Sequence, residues 1–156
     1  MNADFKSQQQ SPGAPVAILF VDDDPNDMLL VQRAFKKAGL TYPLIHKRDG
    51  EEAIAYLSGK SPYSDRTKHP LPTLILLDIK MPKMTGFDVL SWMQHQPTLA
   101  KIPVVVLTAS VRDEDQSQAQ KLGAVGYRAK PVDFGELVDI IRDVDARWLS
   151  QIRKPL

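Results

Sequence analysis

Two apolar runs of this chain end on carboxylates: "AILFV" runs straight into Asp22, Asp23 and Asp24, and "TLILL" into Asp78. An aspartate closing a run apolar enough to be buried on both faces loses solvation energy unless a cation, a hydrogen-bond network or a reaction requires it there. If the two runs are neighbouring strands, Asp22, Asp23 and Asp78 meet, and three anions at close range demand a cation. Oxygen-only donors with no His or Cys nearby select a hard ion, Mg2+ first and Mn2+ or Ca2+ next. A third run, "IPVVVL", ends on Thr108, and "GYRA" is followed by Lys130-Pro131. They bring a neutral hydroxyl and a further positive charge to the same edge. A carboxylate beside a divalent ion, an ammonium and a hydroxyl is suited to receive a phosphoryl group. The cations neutralise its equatorial oxygens while the carboxylate attacks in line.

Those residues need a scaffold that gathers strand ends. From Val16 onward short apolar runs alternate with amphipathic stretches. "VAILFVD" reads as a strand; Asp24-Pro25 then caps a helix with Met28, Val31, Phe35 and Ala38 at helical spacing, closed by Gly39. "PLIHKRD" alternates as a half-buried strand, and Asp49 with Glu52 opens a short helix. "SGKSPYSDRTKHPLP" is a polar loop without periodicity. After the strand "TLILLD", Thr85 with Asp88 caps a helix bearing Phe87, Leu90 and Met93. The strand "IPVVVLT" precedes a weak polar helix, "VRDEDQSQAQKLG". "AVGYRA" is a short fifth strand, and Asp133 with Glu136 caps a long helix with Leu137, Ile141, Val144 and Trp148 on one stripe. Strict alternation of five strands and five helices predicts an α/β, doubly wound open parallel sheet covered on both faces. In such sheets ligands sit beyond the carboxyl ends of the strands.

Composition narrows the function classes. A chain of 156 residues suits one core. Its net charge of +1 provides no field to recruit nucleic acid or an anionic membrane. With no cysteine, disulfides, zinc-thiolate sites and thiol catalysis are excluded, which fits a cytoplasmic protein. No apolar run is long enough to span a bilayer, and the first residues lack the pattern of a signal peptide. Residues 1–15, rich in Gln, Ser, Pro and Gly, read as a disordered tail; 16–150 is the expected domain, and 151–156 a short C-terminal tail.

"ILFVDDDP", "LILLDIKMPKMTG", "VVVLTAS" and "GYRAKPVD" together resemble the signature blocks of response-regulator receiver domains, over about residues 16–150. Thr108 follows Asp78 by 30 residues and Lys130 follows Thr108 by 22, as in that family. The resemblance implies a flavodoxin-like (βα)5 sheet of strand order 2-1-3-4-5. It implies Asp78 as the residue phosphorylated by a sensor histidine kinase. Asp23 becomes a direct ligand of Mg2+, Asp22 a ligand through water, and Lys80 a ligand through its backbone carbonyl. Thr108 becomes the hydroxyl that moves toward the phosphoryl group, Ala109 the small residue beside it, and Lys130 the phosphate-pairing cation. Pro131 is implied to follow a cis peptide bond. Tyr127 fits two readings, a half-buried strand aromatic and the aromatic switch of the family. At finer grain, the insert "GKSPYSDRTKHPLP", "KIPVVVLTAS", "KPVDFGELV" and the Trp148-Leu149 ending resemble single-domain regulators that accept phosphate from bacterial phytochrome kinases.

Two rival chemistries fail on single residues. An aspartate-based phosphatase of the haloacid-dehalogenase type needs a second acid two residues after the nucleophile, where this chain has Lys80. A nucleotide-binding module needs a glycine-rich loop after the first strand, where this chain has "DDDPND". His46, His69 and His95 lack metal-ligand spacing, and the Trp148 stripe reads first as core and second as a subunit interface. The 26 residues after Lys130 make room for one helix and no output domain. The expected function is therefore a stand-alone phosphoacceptor switch rather than a turnover enzyme, able to catalyse its own phosphorylation and slow dephosphorylation. It would signal through its fourth helix, fifth strand and fifth helix to a downstream protein, a phosphotransfer protein or a second copy in a homodimer.

Overall fold

A computed structural model of the chain describes residues 16–150; the tails expected at 1–15 and 151–156 lie outside the described residues. Three strands are buried at every position: β1 (Ile18–Val21), β3 (Leu74–Leu77) and β4 (Val104–Thr108). They are flanked by the less buried edge strands β2 (Leu44–Lys47) and β5 (Gly126–Ala129). All neighbours pair in parallel, and the sheet order is 2-1-3-4-5. The crossovers carry α1 (Pro25–Lys37), α2 (Gly50–Ser58), α3 (Gly86–Gln94), α4 (Asp113–Lys121) and α5 (Phe134–Val144). None of these helices is long and apolar enough to cross a membrane.

The central strands read as unbroken apolar runs because each feeds two cores. Successive side chains point to opposite faces. Ile18, Phe20, Leu74, Leu76, Val105 and Leu107 pack with Val31 and Phe35 of α1 and Ile141 and Val144 of α5. Leu19, Val21, Ile75, Leu77, Val104 and Val106 pack with Ala53, Leu90, Met93 and Ala119 of α2, α3 and α4. Each fully buried aliphatic side chain stabilises by about 1.5–3 kcal/mol. Summed over three strands, that is ample to fix strand ends that carry buried acids.

The helix starts form as their sequences dictate. Asp24 accepts from the Asn26 amide at 2.8 Å, Asp49 from Glu52 at 2.7 Å and Asp133 from Glu136 at 3.0 Å. Thr85 and Asp88 make a reciprocal capping box. Helix α4 has no side-chain cap and buries only Asp115 and Ala119.

Two segments carry detail beyond the expected loop and the expected apolar stripe, on which Trp148 does pack against the core. Beyond Val144 the last helix widens into a π turn, Asp145–Leu149, and Leu149 rather than Trp148 is the fully buried residue. The wider turn rotates the apolar stripe, and the indole of Trp148 rests against Gly126, where a β-carbon would come within 3.1 Å. The segment between α2 and β3, without periodicity in sequence, is organised by Arg66. Its guanidinium donates to the carbonyls of Tyr56 (2.9 Å), Leu57 (2.9 Å) and His69 (3.1 Å), two of them in the last turn of α2. Tyr63 and His69 meet edge to face, and the Lys47 ammonium lies 4.4 Å from the centre of the Tyr63 ring.

Candidate functional site

Register assembles the site. Val21 of β1 pairs with Leu77 of β3, so the next residues, Asp22 and Asp78, leave the sheet side by side. Thr108 of β4 pairs with Ala129 of β5, and the amide of Lys130 donates to the Thr108 carbonyl at 2.7 Å, which starts the Lys130 side chain at the same rim. Its ammonium lies 2.7 Å from Asp22 Oδ2, 2.7 Å from Asp27 Oδ2 and 2.9 Å from Asp78 Oδ2. One tethered cation therefore serves three carboxylates.

Electrostatics sets the tension here. Asp22 is fully buried, and burial pushes its carboxyl up to about 7, against the Lys130 ammonium and the Asp24 amide, which favour the anion. Burial alone would lower the Lys130 ammonium, but the bonds to Asp22, Asp27 and Asp78 together hold it above its ordinary range. Asp22 Oδ1 accepts from the Asp24 amide at 2.9 Å. Asp22 Oδ2 is buried and, despite the nearby ammonium, has no well-directed hydrogen bond. Asp22, Asp23 and Asp78 each offer an oxygen within 4.8 Å of one another. A pure oxygen donor set, buried at Asp22 and Asp78 and open through Asp23, fits a hard divalent cation.

The remaining expected residues lie on the strands and loops that end at this rim. Asp78 is buried, and its Oδ1 accepts from the Lys80 amide at 3.0 Å. Gly86 presses on it from α3: a β-carbon there would lie 2.5 Å from the Asp78 carbonyl oxygen, so only glycine fits. Thr108 is buried at the end of β4, and Ala109 follows it exposed. Tyr127 is half-buried on β5 and donates from its hydroxyl to the Ser110 carbonyl at 3.2 Å. The cis peptide expected before Pro131 is corrected by the structure: Lys130–Pro131 is trans, and the cis bond among the described residues is Ser61–Pro62. Trans is the lower-energy form of an X–Pro bond, and Lys130 reaches the carboxylates without the other isomer.

Four neighbours escaped the sequence reading. Asp27, in the first turn of α1, looks like an ordinary helix-start acid until the fold turns it to Lys130. His46 of β2 bonds the Asp22 carbonyl at 2.8 Å through its ring. Ser110 donates to Asp115 at 2.5 Å, and that bond, with the Lys80 ammonium 3.4 Å away, holds the Asp115 carboxyl below its usual range. Asp115 was legible in principle, since it stands four residues before buried Ala119 on one helix face.

This arrangement has known counterparts. Residues 18–142 match the response regulator receiver domain, and the chain belongs to that family: two-component phosphoacceptor switches that bind a divalent cation and work with a sensor histidine kinase. Within it, the chain is 34% identical over 149 residues to the response regulator Rcp1 of a Synechocystis species, covering 96% of this chain and 98% of that one. It is 35% identical over 141 residues to the probable methanogenesis regulatory protein FilR2 of Methanothrix harundinacea, covering 90% and 88%. Among solved structures, the phosphorylated cyanobacterial phytochrome response regulator RcpA superposes with a TM-score of 0.81 at 34% identity, over 88% of this chain and 96% of that one. The Mn2+-bound form of Rcp1 gives 0.77 at 36% identity, over 86% and 95%.

Proposed function

We propose that Asp78, in a receiver domain spanning residues 16–150, accepts a phosphoryl group from a kinase phosphohistidine. The observation that carries this reading is the meeting of the Lys130 ammonium with Asp78 at 2.9 Å where the oxygens of Asp22, Asp23 and Asp78 converge. A carboxylate oxygen of Asp78 attacks phosphorus, the bond from phosphorus to the donor imidazole nitrogen breaks, and its electron pair returns to the imidazole. Asp22, Asp23, Asp78 and the Lys80 carbonyl are the groups that would hold Mg2+, which when bound neutralises charge on the phosphoryl oxygens. Lys130 pairs with a phosphoryl oxygen. Ala109 leaves room beside it, the Thr108 hydroxyl turns toward it, and Tyr127 follows into the space released, shifting the face of α4, β5 and α5 toward its active form. Water attack on the same phosphorus returns the electron pair to the Asp78 carboxylate, a slow self-dephosphorylation.

The likeness to RcpA, described as a phytochrome response regulator, supports a phytochrome as the sensor kinase. The reading places the protein in the cytoplasm, with the signal leaving to a downstream or phosphotransfer protein or through a homodimer. Incubation with Mg2+ and phosphoramidate, followed by intact-mass measurement, tests the acceptor. Wild type gains one phosphoryl group and Asp78→Asn gains none; an Asn variant that still takes the label removes Asp78 from the role.

A further inference from the structure

Two lysines stand at the rim of the acidic cluster, and they face different ways. Lys130 is sunk among Asp22, Asp27 and Asp78. Lys80 bonds Asp78 Oδ1 through its backbone amide, yet its ammonium reaches out to Asp115 Oδ2 at 3.4 Å, in the first turn of α4. The same Asp115 oxygen accepts from Ser110 Oγ at 2.5 Å, and that hydroxyl oxygen in turn accepts from the Arg112 amide at 3.3 Å. The Ser110 amide reaches Thr108 Oγ1 at 3.4 Å, and the Ser110 carbonyl accepts from the Tyr127 hydroxyl at 3.2 Å. Helix α4 has no side-chain cap and a polar surface. Asp115 is thus the tie that pins its first turn to the loop that follows Thr108, and Lys80 extends that tie to the segment after β3 that carries Asp78.

We propose that Lys80 and Asp115 form a latch. Before phosphorylation the Lys80 ammonium holds α4 down through Asp115; a phosphoryl group on Asp78, two residues away, draws the ammonium off and frees α4 with the Ser110 loop. The proposal rests on Asp78 as the acceptor. Lys80 suits the handover because its charge sits on a flexible four-carbon stem, half exposed, able to change partners without moving the backbone. A multiply charged phosphoryl group is a stronger partner than one rim carboxylate. The Lys80 and Asp115 side chains are positioning groups that act on the switch through α4, whereas the backbone of Lys80, which a side-chain substitution keeps, stays with the acceptor and the metal.

The test compares wild type, Asp115→Asn and Lys80→Gln by amide hydrogen exchange over residues 110–121 and by affinity for beryllofluoride with Mg2+. Asp115→Asn keeps the side-chain shape and can still accept from Ser110, but it loses the charge Lys80 holds. Resting α4 should exchange faster in it, and by reciprocity beryllofluoride should bind roughly threefold more tightly, the scale of a half-exposed ion pair. Lys80→Gln should also speed exchange but should not tighten beryllofluoride, because the ammonium to be handed over is gone. In wild type, high salt should speed α4 exchange by screening the pair, a measurement independent of any variant's folding. Wild-type exchange and affinity in Asp115→Asn, equal tightening in both variants, or salt-insensitive exchange would each overturn the latch while leaving the acceptor intact. A wild type that takes no beryllofluoride defeats the acceptor reading, and the latch falls with it.

Discussion

Replacing Lys130 by methionine keeps a flexible side chain and removes the ammonium that three carboxylates share. That ammonium lies within 2.9 Å of each of them, and two, Asp22 and Asp78, are almost wholly buried. Breaking a buried ion pair from one side costs about 3–5 kcal/mol, because the stranded charge stays out of water. Here the rim is partly open, the Lys130 side chain being 20% exposed, so the lower end applies, about 3 kcal/mol. In a domain of this size each kcal/mol lowers the melting temperature by about 2–4 °C, so a fall of about 6–12 °C is expected at pH 8 in chelator. Mg2+ should reverse it. The ammonium contacts oxygens of Asp22 and Asp78, two of the three carboxylates of the candidate metal site, so its removal takes away a competitor as well as a counter-ion. At a hundredfold excess over Kd a bound ion stabilises by about 2.7 kcal/mol, and the variant should gain more from a given Mg2+ concentration than wild type does. Calorimetric melts of both proteins, in chelator and across a Mg2+ series, decide the matter. A variant melting within about 2 °C of wild type in chelator, or gaining no more from Mg2+ than wild type, would refute a shared-counter-ion role for Lys130.

The remaining predictions concern the proton on Asp22 and the packing behind Asp78. Burial pushes the Asp22 carboxyl up to about 7, so without a cation it holds its proton below that pH, and an incoming ion must displace it. Affinity for Mn2+ should be nearly flat above pH 8 and should weaken about tenfold from pH 8 to pH 6. His46→Gln should keep that slope and Asp22→Asn should lose it; a flat wild-type profile would show that the carboxyl is already ionised at pH 6. Gly86→Ala should destabilise by about 1–3 kcal/mol in urea melts, because the new β-carbon would press on the Asp78 carbonyl and the Ile79 α-carbon, backbone atoms without freedom to yield. Phosphoramidate labelling should slow in the same variant, and unchanged stability together with unchanged labelling would show that α3 can retreat from the acceptor loop.

How far the chain could be read depended on whether a residue's partner was implied by strand ends. Asp22, Asp23, Asp78, Thr108 and Lys130 close or follow strands, and a parallel sheet brings such positions to one rim wherever the crossovers run. The meeting of Asp22, Asp23, Asp78 and Lys130 was therefore legible before any coordinate. The caps at Asp24, Asp49, Thr85 and Asp133 were legible for another reason: a cap and its amide lie two or three residues apart. Asp27 and Arg66 have no such local signature. Asp27 meets Lys130 across 103 residues of chain, and only the packing of α1 against α5, on the face to which Lys130 returns after β5, decides it. Arg66 looks like one more charge in a polar loop, and its fit to the carbonyls at the end of α2 depends on a path of the insert that no periodicity encodes. The π turn was hidden because one extra residue in a turn alters no residue type.

Asp27 also explains why the cluster can stay folded while its charges are rearranged. Of the three acids on Lys130 it is the one outside the group able to share a metal ion. When a cation takes over the oxygens of Asp22 and Asp78, the ammonium would lose two of its three partners, and an unpaired buried ammonium carries the same penalty as an unpaired carboxylate. Asp27, a quarter exposed on the first turn of α1, is a partner the metal does not compete for, and it keeps Lys130 at the rim rather than released to solvent. That placement has a consequence for binding. A cation that takes the oxygens of Asp22 and Asp78 displaces the ammonium from both, and the ammonium has only to shift its weight toward Asp27. The lysine thus yields two carboxylates of the metal site without leaving the rim, and α1 takes part in the chemistry without supplying a ligand.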